Sequence, residues 1–270
     1  MIPLLLAAVG DWPVHLSMSL LAVVQGVTEF LPVSSSGHLA LGEMWLGIGE
    51  GSLVEEVALH VGTLVAVIFH YRAYLLELVR GALRGEGDAR RYVALLVGGN
   101  VPAAIVGLGF KDTIEGLFGS VTAVLLAMAA TALLLASTRA VRRGEGAIVW
   151  KIAILVGIAQ AVAILPGASR SGWTIAVALW LGVRPVEAAR FSFLLSIPAI
   201  AGATALQATE LGGSSIPWSA LGLGVVISAL TGMLCLRWLV ALVRNMEIHK
   251  FAYYLGAVVA VGFTSLAFLR

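Results

Sequence analysis

The chain has 270 residues, of which 60% are hydrophobic and 12% are charged, and its net charge is +2. A soluble domain carries about 25% charged residues, so this chain has too few polar side chains to cover a water-soluble globule. The small net charge, without any basic stretch interleaved with aromatic residues, gives no indication of a nucleic-acid partner. Together with a mean hydropathy of +0.99, the composition predicts an integral membrane protein.

Eight apolar regions follow one another along the chain and predict an all-α, polytopic helical bundle. A helix needs roughly 20 apolar residues to cross a hydrocarbon layer of about 30 Å. Six regions are uninterrupted over about that length, and two are broken in the middle. In chain order the regions are 14–47 (broken), 53–71, 92–110, 118–138, 147–182 (broken), 187–207, 218–241 and 251–269.

The two broken regions contain proline, glycine and serine at their centres. The first break runs from Leu31 to Gly37, and the second from Leu165 to Ser169. Irregular backbone at membrane depth is tolerated only where protein or a water-filled cavity satisfies its polar groups. Each region therefore predicts a broken or re-entrant helix hairpin.

The basic residues predict which connections face the cytoplasm. Of the 17 Lys and Arg residues, 13 lie on or beside connections that must share one face of the membrane. With that face inside, the first hairpin enters from outside and the second from the cytoplasm. The connections are the loops 72–91 and 139–151 and the segments 184–190 and 244–250.

A hairpin followed by a span occurs twice, in opposite orientations, which predicts an inverted repeat within a single transmembrane domain, 1–270. Alignment of Pro32 with Pro166 pairs Ser36 with Arg170 and Ser35 with Ser169. An inverted repeat built on broken helices places its site near the midplane, at the repeat interface. The predicted parts are repeat 1 at about 14–71, a helical pair at about 92–138, repeat 2 at about 147–207 and C-terminal helices at about 218–269.

Polar side chains cluster around the first break. Gln25 and Glu29 are i, i+4 and share a helix face, and a helix that restarts among the serines would let a hydroxyl face His38. Inserting a carboxylate at bilayer depth costs at least about 2.5 kcal/mol, so we expect it to be retained only where it pairs with another group or has a function. Alternatively, the serines merely permit close helix packing and Glu29 is protonated. The cluster is Gln25, Glu29, Ser34, Ser35, Ser36 and His38.

A second polar cluster, Ser169, Arg170, Ser171 and Thr174, surrounds the second break. The guanidinium of Arg170 is always charged, and its planar fork of donors suits phosphate. A helix that begins near Ser169 would also direct its free N–H groups at the break. The alternative is a structural ion pair between Arg170 and Glu29, with no ligand.

If both helices restart near the midplane, two helix N-termini, Arg170 and His38 converge on a receptor for a polyanion. A lipid phosphate or diphosphate fits such a receptor among lipid-facing helices. No cluster of His, Cys or carboxylates has metal-ligand spacing, so a divalent cation would use Glu29 and the substrate's own phosphates. Glu56 and His60, at i and i+4, could support this site or form an ordinary buried pair.

These two runs resemble the signature motifs of the undecaprenyl-diphosphate phosphatase family of the bacitracin-resistance type. The first motif is matched by Gln25, Glu29 and residues 32–38, and the second by residues 166–174. Similarity continues through 100–115 and 190–195, so it spans nearly the whole chain. The chain departs from the family at His60, where relatives often carry Gln. The presence of Gln25, a permitted variant, suggests that a second carboxylate is not essential.

The resemblance implies a hydrolase that converts undecaprenyl diphosphate to undecaprenyl phosphate and inorganic phosphate, with a divalent cation, Mg²⁺ or Ca²⁺. It implies recycling of the lipid carrier for peptidoglycan synthesis, and with it bacitracin resistance. It also implies a location in the bacterial inner membrane, with the site open to the periplasm. The partners are then a polyprenyl diphosphate lipid and the membrane; a homodimer is left open.

The residues themselves leave three mechanisms open. Ser35 activated by His38 attacks the terminal phosphorus, His38 is itself the nucleophile, or His38 activates water. Glu29 positions a cation or takes a proton. A rival function is transport, for example a polyprenyl-phosphate flippase, because broken helices in inverted repeats are transporter architecture. The residues predicted to hold the diphosphate with Arg170 are Gln25, Ser34, Ser36, Ser169, Ser171 and Thr174.

Overall fold

The computed structural model describes residues 13–39, 53–208 and 216–268, and its regular elements in these ranges are all helical. Residues 35–39 are helical in addition to the eleven α-helices that can be given full bounds. These helices are α1 (Val14–Phe30), α2 (Leu53–His70), α3 (Arg72–Arg84), α4 (Gly87–Gly109), α5 (Lys111–Phe118), α6 (Val121–Ser137), α7 (Trp150–Val162), α8 (Arg170–Trp180), α9 (Pro185–Ala208), α10 (Trp218–Arg244) and α11 (Phe251–Phe268).

The polytopic all-α architecture is confirmed. By length and composition, five helical segments can cross a bilayer: α4, α6, α9, α10 and α11, with short extensions of α6 and α11. A sixth candidate is α2 together with α3, which are bent by 72° at their junction. Each of the six predicted spans therefore corresponds to a helix.

Both predicted helix breaks are present. The first lies between the end of α1 and the helical residues 35–39, and the second between α7 and α8. The flanking α1 and α7, of 17 and 13 residues, are too short to cross a bilayer comfortably, since about 20 residues are needed. Residues 40–47 of the first predicted hairpin lie outside the described residues.

The prediction of a loop at 72–91 is wrong, because most of this segment forms α3 and the first turn of α4. Leu78 and Gly81 are buried at i and i+3, while Arg80 and Arg84 are exposed. An amphipathic helix of this kind buries one stripe and leaves its charges in water. The number of arginines predicted a connection at the membrane surface, but the number alone carries no information about helical periodicity.

Each hairpin's first helix packs against a long helix from the other half of the chain: α1 against α10, and α7 against α4. Glycines permit both contacts. A Cβ added at Gly26 would lie 1.9 Å from Oγ1 of Thr231, and one at Gly157 would lie 2.1 Å from the carbonyl oxygen of Gly99. Small residues bring membrane helices together in this way. The inverted repeat stays a prediction, since these contacts do not establish opposite membrane orientations.

We expect Gly157→Ala to lower the free energy of unfolding by about 1–3 kcal/mol, as overpacking does, because a carbonyl oxygen cannot rotate away as a side chain can. The measurement is the thermal unfolding midpoint in detergent. Gly222→Ala is the matched control, because nothing lies within 4 Å of its added Cβ. Equal midpoints for the two variants would contradict this account of the α7–α4 contact.

Candidate active site between the two helix breaks

The first break follows Phe30, where α1 ends. Pro32 has no N–H with which to continue the helical ladder. Ser34 then has a φ of +73°, a left-handed conformation that costs a residue with a Cβ roughly 1–2 kcal/mol. Strained residues of this kind cluster at functional sites, and this one directly precedes the helical residues 35–39.

The second break turns at Gly167, whose φ is +88°. A Cβ at this position would lie 2.2 Å from the carbonyl oxygen of Val124 on α6, so only glycine fits. Ser169 caps α8, because its Oγ accepts a hydrogen bond from the N–H of Gly172 at 3.3 Å. Since α8 begins at Arg170, its positive dipole end and free N–H groups point at the break.

The two breaks meet. Oγ of Ser171 donates to the carbonyl oxygen of Leu31 at 3.3 Å. Nη2 of Arg170 donates a charge-assisted hydrogen bond to Oε1 of Glu29. The two breaks are therefore adjacent, and Arg170 and Glu29 form the ion pair that the sequence offered as an alternative to a ligand site. The convergence of His38 and Arg170 on a polyanion stays a prediction.

Glu29 is the centre of the polar cluster. Its second oxygen, Oε2, accepts hydrogen bonds from Oγ of Ser35 at 2.7 Å and from Nε2 of Gln25 at 3.2 Å. Nε2 of His60 lies 3.8 Å from the same oxygen. With Arg170 on Oε1, one buried carboxylate is surrounded by residues from α1, α2, α8 and the helical residues 35–39.

Two polar atoms of this cluster are buried without a hydrogen-bond partner in the described part of the chain. They are Nη1 of Arg170 and Oε1 of Gln25. A buried unsatisfied polar atom costs about 1–3 kcal/mol, so each is expected to have a partner when the site is occupied. Nη1 can donate to an anion, and Oε1 can accept a hydrogen bond or coordinate a cation.

His38 is engaged on both ring nitrogens. Nδ1 lies 2.7 Å from the carbonyl oxygen of Ser34, and Nε2 lies 2.6 Å from the hydroxyl of Tyr254 on α11. One of the three mechanisms that the sequence left open has His38 activate Ser35, but in the structure the Ser35 hydroxyl donates to Glu29. The hydrogen-bond acceptor of the Ser35 hydroxyl is thus the Glu29 carboxylate and not the imidazole.

The other predicted binding residues fall into two groups. Thr174 is fully buried, and its hydroxyl lies 2.6 Å from Oγ of Ser192 on α9. That contact joins α8 to α9, and the binding role of Thr174 stays a prediction. The remaining hydroxyls form pairs at the two breaks, Ser34 with Ser36 at 3.4 Å and Ser169 with Ser171 at 3.3 Å.

Comparison with known proteins assigns the chain to a family. The family profile described as "Bacitracin resistance protein BacA" matches residues 18–261, which include both breaks. The chain belongs to the BacA family. This confirms the resemblance drawn from the two motifs.

The curated relatives are similar along their whole lengths. An undecaprenyl-diphosphatase of Desulfatibacillum aliphaticivorans is 41% identical over 271 residues, covering 91% of this chain and 98% of the relative. Undecaprenyl-diphosphatase 2 of Stutzerimonas stutzeri is also 41% identical, covering 91% and 97%. The undecaprenyl-diphosphatase of Rubrobacter xylanophilus is 41% identical, covering 90% and 94%.

In this BacA-family chain, the cluster can bind an anion and remove a proton from a hydroxyl at the same place. Arg170 uses Nη2 for Glu29 and leaves Nη1 for an incoming oxygen. An anion held there would lie beside the carboxylate that also accepts the Ser35 hydrogen bond. A guanidinium donor, a hydroxyl and the carboxylate that accepts from both are thus adjacent in the structure.

Sequence reasoning missed Tyr254, and it named His60 only as a possible support of the site together with Glu56. His60 stands out in the sequence because it is an ionisable residue within an apolar span. Its i, i+4 spacing, however, suggested a contact with Glu56. In the structure Nδ1 of His60 contacts the Glu56 carbonyl oxygen at 2.8 Å and Nε2 faces Glu29. No sequence pattern singled out Tyr254, because a tyrosine in the first turn of a membrane helix is common.

We expect Arg170→Met to lower the free energy of unfolding by about 3–5 kcal/mol, because it leaves the buried Glu29 carboxylate uncompensated. Adding Glu29→Gln to that variant should restore part of the loss. The measurement is thermal unfolding in detergent. Lys250→Met is the control: its exposed pair with Glu247 is worth about 0–1 kcal/mol. Equal losses for Arg170→Met and Lys250→Met would refute the buried pair's structural role.

Proposed function

We propose that this protein is an integral membrane phosphatase that hydrolyses undecaprenyl diphosphate to undecaprenyl phosphate and inorganic phosphate. The observation that carries the proposal is the shared carboxylate: Glu29 accepts from the Ser35 hydroxyl and from Arg170, whose Nη1 has no partner in the part of the chain that the structure describes. Membership of the BacA family and the undecaprenyl-diphosphatases among its relatives support the substrate. The reaction recycles the lipid carrier for peptidoglycan synthesis and thereby gives bacitracin resistance.

The terminal phosphate would bind at the start of α8. Nη1 of Arg170 donates to one of its oxygens, and the free N–H groups of the α8 N-terminus favour its negative charge. The Ser169 and Ser171 hydroxyls lie at the same helix end. Phosphoryl transfer requires mainly positioning and neutralisation of charge, and this arrangement supplies groups for both.

Ser35 is the nucleophile that the geometry supports best. Its Oγ attacks the terminal phosphorus and forms an O–P bond, while its proton passes to Glu29. The anhydride O–P bond breaks, and undecaprenyl phosphate leaves with the electron pair. Water then attacks the phosphoserine, inorganic phosphate leaves, and Ser35 regains its proton from Glu29.

A divalent cation, Mg²⁺ or Ca²⁺, fits the residues present. Within the described residues no group of three or more His, Cys, Asp or Glu could hold a metal ion, but Oε1 of Gln25 is buried, unpartnered and beside Glu29. Glu29, Gln25 and the diphosphate oxygens would hold the cation together. When bound, it would neutralise the repulsion between the Glu29 carboxylate and the anionic substrate.

The proposed location is the bacterial inner membrane, with the site open to the periplasm. The supporting observation is the concentration of basic residues on one set of connections, which face the cytoplasm under the positive-inside rule. The competing function is a polyprenyl-phosphate flippase. A serine hydrogen-bonded to a buried carboxylate favours catalysis, because binding an anion does not require a base.

We expect the protein in detergent to release phosphate from undecaprenyl diphosphate, and Arg170→Ala and Glu29→Ala to lower kcat/KM by about 10³-fold or more, through lost electrostatic stabilisation of the transition state. A chelator should abolish release and added Mg²⁺ or Ca²⁺ should restore it. Lys250→Ala should match the wild type. No release by folded wild-type protein with added cation would favour the flippase.

We expect Ser35 to carry phosphate transiently during turnover. Label in the terminal phosphate of the substrate should appear on Ser35 after rapid quenching, and Ser36→Ala should retain it while Ser35→Ala loses it. Parallel acid and alkaline quenches are needed, because phosphohistidine is acid-labile. Label on His38, or on neither residue during active turnover, would contradict the serine mechanism.

A further inference from the structure

Tyr254 connects α11, a largely exposed helix, to the first break. Its hydroxyl lies 2.6 Å from Nε2 of His38, and the two rings lie 5.8 Å apart at an interplanar angle of 17°. On α11, Leu255 is the one side chain described as buried, and Tyr254 itself is 48% exposed. A hydrogen bond and a ring contact together fix the orientation of the imidazole.

The hydrogen bonds also fix the tautomer of His38. The carbonyl oxygen of Ser34 can only accept, so Nδ1, 2.7 Å away, carries the proton and donates it. In the neutral imidazole Nε2 is then the acceptor, and the hydroxyl of Tyr254 is the donor to it. Tyr254 therefore selects and stabilises the tautomer that holds the Ser34 carbonyl.

That carbonyl belongs to the strained residue of the break. Ser34 has a φ of +73°, and its carbonyl group leads directly into the peptide unit of Ser35. The direction of the carbonyl and the position of the next residue are set by the same backbone torsions. A hydrogen bond that holds the Ser34 carbonyl therefore also holds Ser35 where its Oγ meets Oε2 of Glu29 at 2.7 Å.

We propose that Tyr254 is a positioning residue for phosphoryl transfer: acting through His38, it maintains the strained Ser34 conformation that presents Ser35 to Glu29. The inference rests on the proposed function, and it assigns no substrate contact to Tyr254, whose hydroxyl is already donated to His38. Misplacing a reacting group by a fraction of an ångström slows a reaction without weakening substrate binding.

The test is Tyr254→Phe, which keeps the ring and removes the hydroxyl. With undecaprenyl diphosphate and Mg²⁺ in detergent, kcat should fall about tenfold while KM stays within about twofold. Tyr253→Phe is the matched control, because Tyr253 is the adjacent tyrosine on the same helix and is 68% exposed. It should match the wild type. Wild-type kcat for Tyr254→Phe, or a rise in KM as its main effect, would overturn the proposal.

A double-variant cycle separates this role from a general structural one. If Tyr254 acts through His38, then Tyr254→Phe should cause no further loss of kcat in a His38→Gln background, measured at high protein concentration. An equal tenfold loss in both backgrounds would overturn the proposal. Gel filtration and unfolding midpoints establish that each variant is folded.

Ring-nitrogen NMR tests the same link without relying on turnover. The protein has five histidines, and the His38 signals are those lost in His38→Gln. Tyr254→Phe should shift the Nε2 signal of His38, whereas Tyr253→Phe should leave it unchanged; an unchanged signal in Tyr254→Phe would overturn the proposal. A wild type that releases no phosphate but shows the expected shift would refute the proposed function and leave the Tyr254–His38 link established.

Discussion

One buried contact between a carboxylate and a guanidinium joins the two broken helices of this protein. Glu29 lies at the end of α1 and Arg170 at the start of α8, 141 positions apart in the chain. Neither charge could remain at this depth alone, because an uncompensated buried ion costs several kcal/mol. The hydroxyl, amide and imidazole groups around the carboxylate are positioned by that pairing. The same contact that stabilises the bundle therefore also determines where chemistry can take place.

The ion pair and the ligand site, which the sequence presented as alternatives, are compatible in the structure. A guanidinium has two Nη groups, and here one of them donates to Glu29 while the other has no hydrogen-bond partner among the described residues. Arg170 can therefore remain paired with the protein and still bind an anion. A lysine has one compact ammonium group and no planar fork of donors. An arginine suits this position because its two Nη groups can bind Glu29 and an anion separately.

The sequence was sufficient for the breaks and for most of the polar cluster. Pro32 and Gly167 interrupt helices through local properties, a missing N–H and a left-handed backbone, and such properties can be predicted from residue type. The same holds for the spans, whose apolar length is a local quantity. The contact of Glu29 with Arg170 could also be anticipated, because a membrane interior leaves isolated charges few partners.

What could not be predicted depends on tertiary contacts. Spacing allowed Ser35 to face His38, but the turn at Ser34 directs its hydroxyl to Glu29 instead. Tyr254 reaches His38 across 216 positions of the chain, a distance that no local pattern encodes. The helix α3 was not predicted because the charge of its arginines was considered, whereas the helical spacing of its apolar residues was not.

The exposure of α11 has a kinetic consequence. Because this helix is apolar and buried at only one described side chain, and Tyr254 lies half-exposed beside the first break, the site adjoins an exposed helix of the kind that faces lipid in a polytopic membrane protein. A lipid substrate reaches such a site by diffusing within the bilayer, with its tail remaining among other tails. Its effective concentration is then a mole fraction in the membrane. Diluting the membrane with inert lipid slows the enzyme, whereas diluting the whole suspension in buffer does not change the turnover of each molecule.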